Sequence, residues 1–174
     1  VHATQLTTPA NQFVTTPNND TIYSRAWLDL SQEPVRIDLP ATGERYLSVA
    51  LMDMYANNFA VLGNRTTGNG GGHFTLVGPN VASSDPQAIR SPTPWVWLLA
   101  RTLVSGTADL AAARVAQDGI RISGPATGWD AHVPARRSAP ALDYFVSLQA
   151  LLVENPPPAV DAGFFERVRP LGLG

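Results

Sequence analysis

The chain has 174 residues, 15% of them charged, and a formal net charge of -2; it offers no electrostatic case for nucleic acid or an anionic membrane surface. Cysteine is absent and all 12 basic residues are Arg, which excludes disulfides, thiolate zinc sites, thiol nucleophiles, P-loop lysines and lysine Schiff bases. The length suits one domain, and 15 Pro with 14 Gly favour many turns and short strands over a helical bundle.

Residues 1–20 read as an irregular lead-in. Over 21–30 alternation predicts a strand, with Ile22, Ser24, Ala26, Leu28 and Leu30 on one face and Tyr23, Arg25 and Trp27 on the other. Residues 35–39 predict a second strand, with Val35, Ile37 and Leu39 inward. Residues 45–54 are apolar on both faces and predict a central strand. Segments 59–62 and 73–77 flank a glycine-rich loop and predict a wide hairpin. That loop lacks a Gly-Lys-Ser/Thr and a following helix, so it reads as a loop tip rather than a phosphate cradle.

Residues 95–104 predict another strand, and 108–118 a helix capped by Thr107. Residues 120–123 suggest a short strand, and 124–139 a loop carrying Trp129 and His132. A second helix over 141–154 carries Tyr144, Phe145, Leu148, Leu151 and Leu152 on one stripe and stops at Asn155 and three prolines. A last short helix is expected over 161–168. The expected class is α+β, a mainly antiparallel, sandwich-like sheet core with two or three helices toward the C-terminal end. The expected plan is one domain over 1–174, with a β-rich core at 21–123 and helices at 140–169.

The polar residues gather in two short stretches. Asn18, Asp20 and Tyr23 open the first strand, while Asp53, Tyr55, Asn57 and Asn58 follow the third. A carboxylate at the end of a covered strand is costly unless hydrogen-bonded or paired. One reading is a polar pocket at one end of the sheet, with Asp20 and Asp53 converging to about 10 Å, where two carboxylates and a phenol bind a small polar molecule. Two close carboxylates also divide acid and base roles, which makes Asp20, Asp53 and Tyr55 the catalytic candidates. The plainer reading closes a turn with Asn18 and Asp20 and pairs Asp53 with an arginine. Arg101, a charge in an apolar strand, is expected to meet a carboxylate, with Asp53 the first candidate and Asp20 the next. No metal set and no cofactor is expected: the three histidines share no ligand-like spacing.

The stretches PNNDTIYSRAWLDL, RYLSVALMDMYANNFAVLGNRTTG, HFTLVGP, SPTPWVWLLARTLV and GFFERVRPLGLG, in that order, resemble the bacterial family catalogued as domain of unknown function 1254. On that pattern Asn18, Asp20, Thr21, Tyr23, Ser24, Asp53, Tyr55, Asn57, Asn58, Arg65 and Arg101 fall on motif positions. The resemblance implies an exported protein and a second β-rich partner domain. That partner, and the family's helical lead-in with an aromatic-proline pair, lie outside this sequence, so a site completed by either is incomplete here. No activity comes with the resemblance. Three functions follow as expectations: binding of a small polar ligand, hydrolysis by a carboxylate pair or with a metal's help, and assembly with a partner domain or a second copy.

Overall fold

The structure, a computed structural model, describes residues 1–8, 10, 18–125 and 140–173. Its strands are β1 (Thr21–Asp29), β2 (Val35–Leu39), β3 (Leu47–Met52), β4 (Asn58–Gly63), β5 (Gly72–Val77), β6 (Ile89–Arg90), β7 (Trp95–Leu103) and β8 (Arg121–Ser123). The helices are α1 (Leu110–Asp118), α2 (Ala141–Glu154) and α3 (Ala162–Val168). The fold is α+β, as the alternation and the helical stripe imply. Trp129 and His132 lie outside the described residues.

The first sheet runs β1-β7-β3-β4 and the second β6-β5-β2-β8. All pairs are antiparallel except β5 with β6. The inward rows of both sheets meet in one core that includes Leu28, Ile37, Val49, Leu51, Leu76 and Leu98. On β2 the alternation is complete: Val35, Ile37 and Leu39 are buried while Arg36 is exposed. Burying each such side chain contributes roughly 1.5–3 kcal/mol relative to leaving it in water, which fixes the register of a short strand. A smaller cluster of Ile22, Val104 and Ala113 seats α1 against the start of β1 and the end of β7.

Two expectations need correction. Segments 59–62 and 73–77 do not form a hairpin, because β4 pairs with β3 in the first sheet and β5 with β2 in the second. The chain changes sheets after Gly63, whose φ of +123° and 2.1 Å approach of a would-be Cβ to the Leu47 carbonyl oxygen leave no room for a side chain. Thr107 does not cap α1. It opens a 3-10 turn, Thr107–Asp109, and the Asp109 carboxylate turns instead to Arg45, at 2.6 Å from each of two guanidinium nitrogens, and to the Ser105 N–H at 2.8 Å. That bidentate pair clamps the start of α1 to the entry of β3.

Candidate functional site

β3 ends at Met52, and the chain then turns on Asp53, which is buried. Its Oδ1 accepts the backbone N–H groups of Tyr55 at 2.8 Å and Asn57 at 2.9 Å. Its Oδ2 accepts Asn57 Nδ2 at 3.1 Å. The backbone closes the same loop, with the Asp53 N–H donating to Asn57 O and the Ala56 N–H to Asp53 O, both at 3.1 Å. Ala56 sits at a φ of +62°, a left-handed conformation that the surrounding bonds hold in place. Three donors therefore answer the buried carboxylate, and among the described residues no arginine pairs with it.

The loop aims Tyr55 at the C-terminal helices. Its hydroxyl donates to the Asn155 carbonyl at 2.6 Å, and its ring meets Phe165 edge-on, with centroids 5.9 Å apart. Burial, then the charges of Asp53 and Asp161, push the phenol up to about 12. Asn155 ends α2, and its N–H donates to Leu151 O at 2.8 Å. Its Oδ1 accepts the backbone N–H of Trp95 at 3.0 Å, and the Trp95 indole donates to Glu154 Oε1 at 2.7 Å. These bonds stitch the end of α2 to the start of β7.

Beneath them lies a cavity of about 380 Å³ lined by Met54, Tyr55, Leu148, Leu151, Phe165 and Asn155, among others. Its walls are almost wholly apolar. Asn155 is 2% exposed, and its Nδ2 has no hydrogen-bond partner among the described residues.

Of the expected site residues, the structure gathers Asp53, Tyr55 and Asn57 here, with Asn58 next along and exposed at the start of β4. Asp20 is elsewhere. Its carbonyl accepts the Val104 N–H at 2.8 Å, whereas Met52, one residue before Asp53, faces Trp97. About eight residues of β7 separate the two aspartates, roughly 25 Å at ~3.3 Å per residue. The Asp20–Asp53 pair does not form, because the antiparallel register puts the start of β1 and the end of β3 at opposite ends of the sheet. Asn18 is a turn residue: its Oδ1 accepts the N–H groups of Asp20 at 2.8 Å and Thr21 at 3.2 Å, and its Nδ2 donates to Thr21 Oγ1 at 2.8 Å.

Arg101 is a second correction. It points outward, exposed, with its guanidinium 5.5 Å from the Tyr23 ring centroid rather than against a carboxylate. Tyr23 and Arg101 are direct cross-strand partners, which explains the stacking. Arg65 lies in the same way over Tyr46, at 5.3 Å. Tyr23, Arg65 and Arg101 thus lie on the outer side of the first sheet, where Trp27 also stacks on Trp97 with centroids 6.0 Å apart. Among the described residues no three His, Asp or Glu side chains are grouped to hold a metal ion. No helix among them is long and apolar enough to cross a membrane.

The residues that sequence reasoning missed are Asn155 and Phe165. Asn155 before three prolines explains a helix stop so completely that its local signal leaves no trace of the two long-range bonds.

The family model described as Protein of unknown function (DUF1254) matches residues 1–124. No curated protein matches the chain. Among solved structures, the VPA0106 protein of Vibrio parahaemolyticus is similar, with a TM-score of 0.70 and 23% identity. The likeness covers 91% of this chain and 42% of that one, so it concerns the fold, and this chain spans under half the length of that neighbour.

Proposed function

This chain belongs to the DUF1254 family, whose description assigns no activity, and we propose from the geometry of its own residues that the domain binds a small molecule between the Tyr55 loop and the two C-terminal helices. The observation that carries this reading is the cavity of about 380 Å³ itself, with almost wholly apolar walls that include Leu148, Leu151 and Phe165 and the polar residues Tyr55 and Asn155. A concave apolar site with a few placed polar groups is the usual form of a small-molecule pocket. The small polar ligand expected from Asn18, Asp20 and Asp53 gives way to one with an apolar body, because Asp53 spends its oxygens inside its own loop and Asn18 and Asp20 are at the far end of the sheet. The same separation removes the carboxylate-pair hydrolase.

Benzene titration followed by methyl NMR tests the reading. Shifts confined to Leu148, Leu151 and Leu152, and abolished by Leu148→Trp, are the expected result. Shifts that survive the cavity-filling substitution overturn it.

A second reading, assembly, has its own support. Leu142, Val146 and Val153 on α2 and Phe164 on α3 are all more than half exposed. A helix as apolar as α2, with Asp143 and Glu154 its sole charges, is at home between two layers rather than on a surface. A partner domain is a fitting cover, given that the chain spans 42% of the Vibrio structure. Sedimentation against concentration checks for a second copy as the cover: self-association that Val146→Glu abolishes identifies it, and a monomer at all concentrations rules it out.

A further inference from the structure

We propose that the outer face of the first sheet docks an extended, acidic segment of a protein partner, one that sets carboxylates at alternate positions beside an apolar residue. The inference concerns a surface other than the cavity and is independent of the small-molecule reading.

The face is built by alternation. Along β1 it carries Tyr23, Arg25 and Trp27, and along β7 Trp97, Leu99 and Arg101. The register sets them in three rows: Tyr23 opposite Arg101, Arg25 opposite Leu99, and Trp27 opposite Trp97. The alternate residues Leu28, Val96 and Leu98 are in the core, whereas Trp27 is 42% exposed and Arg25 and Arg101 are exposed. At one end the face is closed, because Trp95 is buried and its indole is bonded to Glu154 of α2. Tryptophan, tyrosine and arginine around an apolar centre make up the composition that protein interfaces favour at their hot spots.

The charge of the partner follows from the arginines. Among the described residues neither Arg25 nor Arg101 meets a carboxylate. Arg101 lies over the Tyr23 ring, its guanidinium 5.5 Å from the centroid, which leaves its N–H edge to accept company. Asp29 ends the same row of β1, but its Oδ1 accepts the Ser31 N–H at 2.9 Å. Two cations gathered on one face of a chain with a net charge of -2 form a local positive patch, complementary to an acidic surface. A second copy laid face to face would set one arginine-bearing face against another, which opposes self-association here. A nucleic acid would find few phosphate contacts and, at Leu99, no ring on which to stack a base.

The pattern of the segment follows from the spacing. Arg25 and Arg101 are diagonal neighbours on adjacent strands, roughly 7–8 Å apart. In an extended peptide, residues i and i+2 point the same way and are about 7 Å apart. A peptide running along the strands therefore meets the two arginines with carboxylates at i and i+2. It then reaches the Trp27–Trp97 row with an apolar residue at i+4.

The peptide Ac-Glu-Thr-Glu-Thr-Leu-Thr-Glu-Thr-Glu-NH2 presents that pattern in either direction. It is titrated into the full chain at low salt and followed by NMR of the tryptophan indoles, against the same peptide with Gln for Glu and a nine-nucleotide oligothymidylate. The Glu peptide should shift Trp27 and Trp97, leave Trp95 in place, and bind about tenfold tighter than the Gln peptide, the worth of two exposed ion pairs. Arg25→Gln and Arg101→Gln should each remove part of that advantage, and the double variant all of it. If the variants do not fold, the wild-type comparison of Glu with Gln still decides. Equal binding of the two peptides overturns the acidic partner, and tighter binding of the oligothymidylate overturns it in favour of a nucleic acid. No shift at Trp27 or Trp97 with the Glu peptide overturns the docking face altogether.

Discussion

Asp53 shows how a buried carboxylate can belong to a turn. Its charge is met by two backbone N–H groups and an amide, so its removal should be felt as lost hydrogen bonds. Asp53→Ala strands the N–H groups of Tyr55 and Asn57 and should cost about 2–3 kcal/mol in a denaturant melt. Asp53→Asn keeps an acceptor oxygen and should cost only ~1 kcal/mol; equal losses would mean that the charge itself is what the loop requires. Arg101→Leu is expected to change stability by under about 1 kcal/mol, since among the described residues what it loses is an exposed cation–π contact. A loss of 3–5 kcal/mol in the same melt would instead mark a buried ion pair. Tyr55 carries a pH signature. Its folded-state value of about 12 lies above the ordinary value of 10.0, so its contribution to stability is whole below pH 10 and is lost as pH rises from there toward 12. Ultraviolet titration should show one tyrosine ionising late, and Tyr55→Phe should remove that step and flatten the alkaline limb of the stability curve.

Arg45 and Asp109 tie two elements whose contact decides where α1 begins. The guanidinium, first, and then the Ser105 N–H hold the Asp109 carboxyl far below its ordinary value of 3.8. A depressed carboxyl stabilises the fold above that ordinary value and loses its contribution as pH falls through the acid range. The melting temperature should therefore decline below about pH 4, and Asp109→Asn should melt lower at neutral pH while showing a shallower decline. Parallel acid titrations of both proteins check this. At this scale the sequence was most readable. β1, β2, β7 and α2 fall within a residue or so of where alternation and the helical stripe place them, because each buries one regular face. The cap of α1 was not readable, since the residue that anchors it is claimed by Arg45, 64 positions away.

For the molecule as a whole, the pairing order is what periodicity leaves hidden. An alternating strand says which face is buried and nothing about its neighbour, so β4 and β5 look like partners while lying in different sheets. The same blindness joined Asp20 to Asp53: residue types and strand ends were legible, but which ends coincide depends on register across β7. The Asp53, Tyr55 and Asn57 group survived because one short loop brings it together without any help from topology. The order β1-β7-β3-β4 also bears on how the chain is made. From the end of β1 to the start of β7 there are roughly 65 residues, so at 5–20 residues per second the first strand leaves the ribosome several seconds before the strand it must join. Throughout that interval its Ile22 and Leu28 row and its open edge stand without their partner, while β3 and β4 can already zip together beside it. Synthesis itself is then the period of greatest exposure to aggregation, and a chaperone that grips short apolar strands would find its binding site in residues 21–30 of the nascent chain.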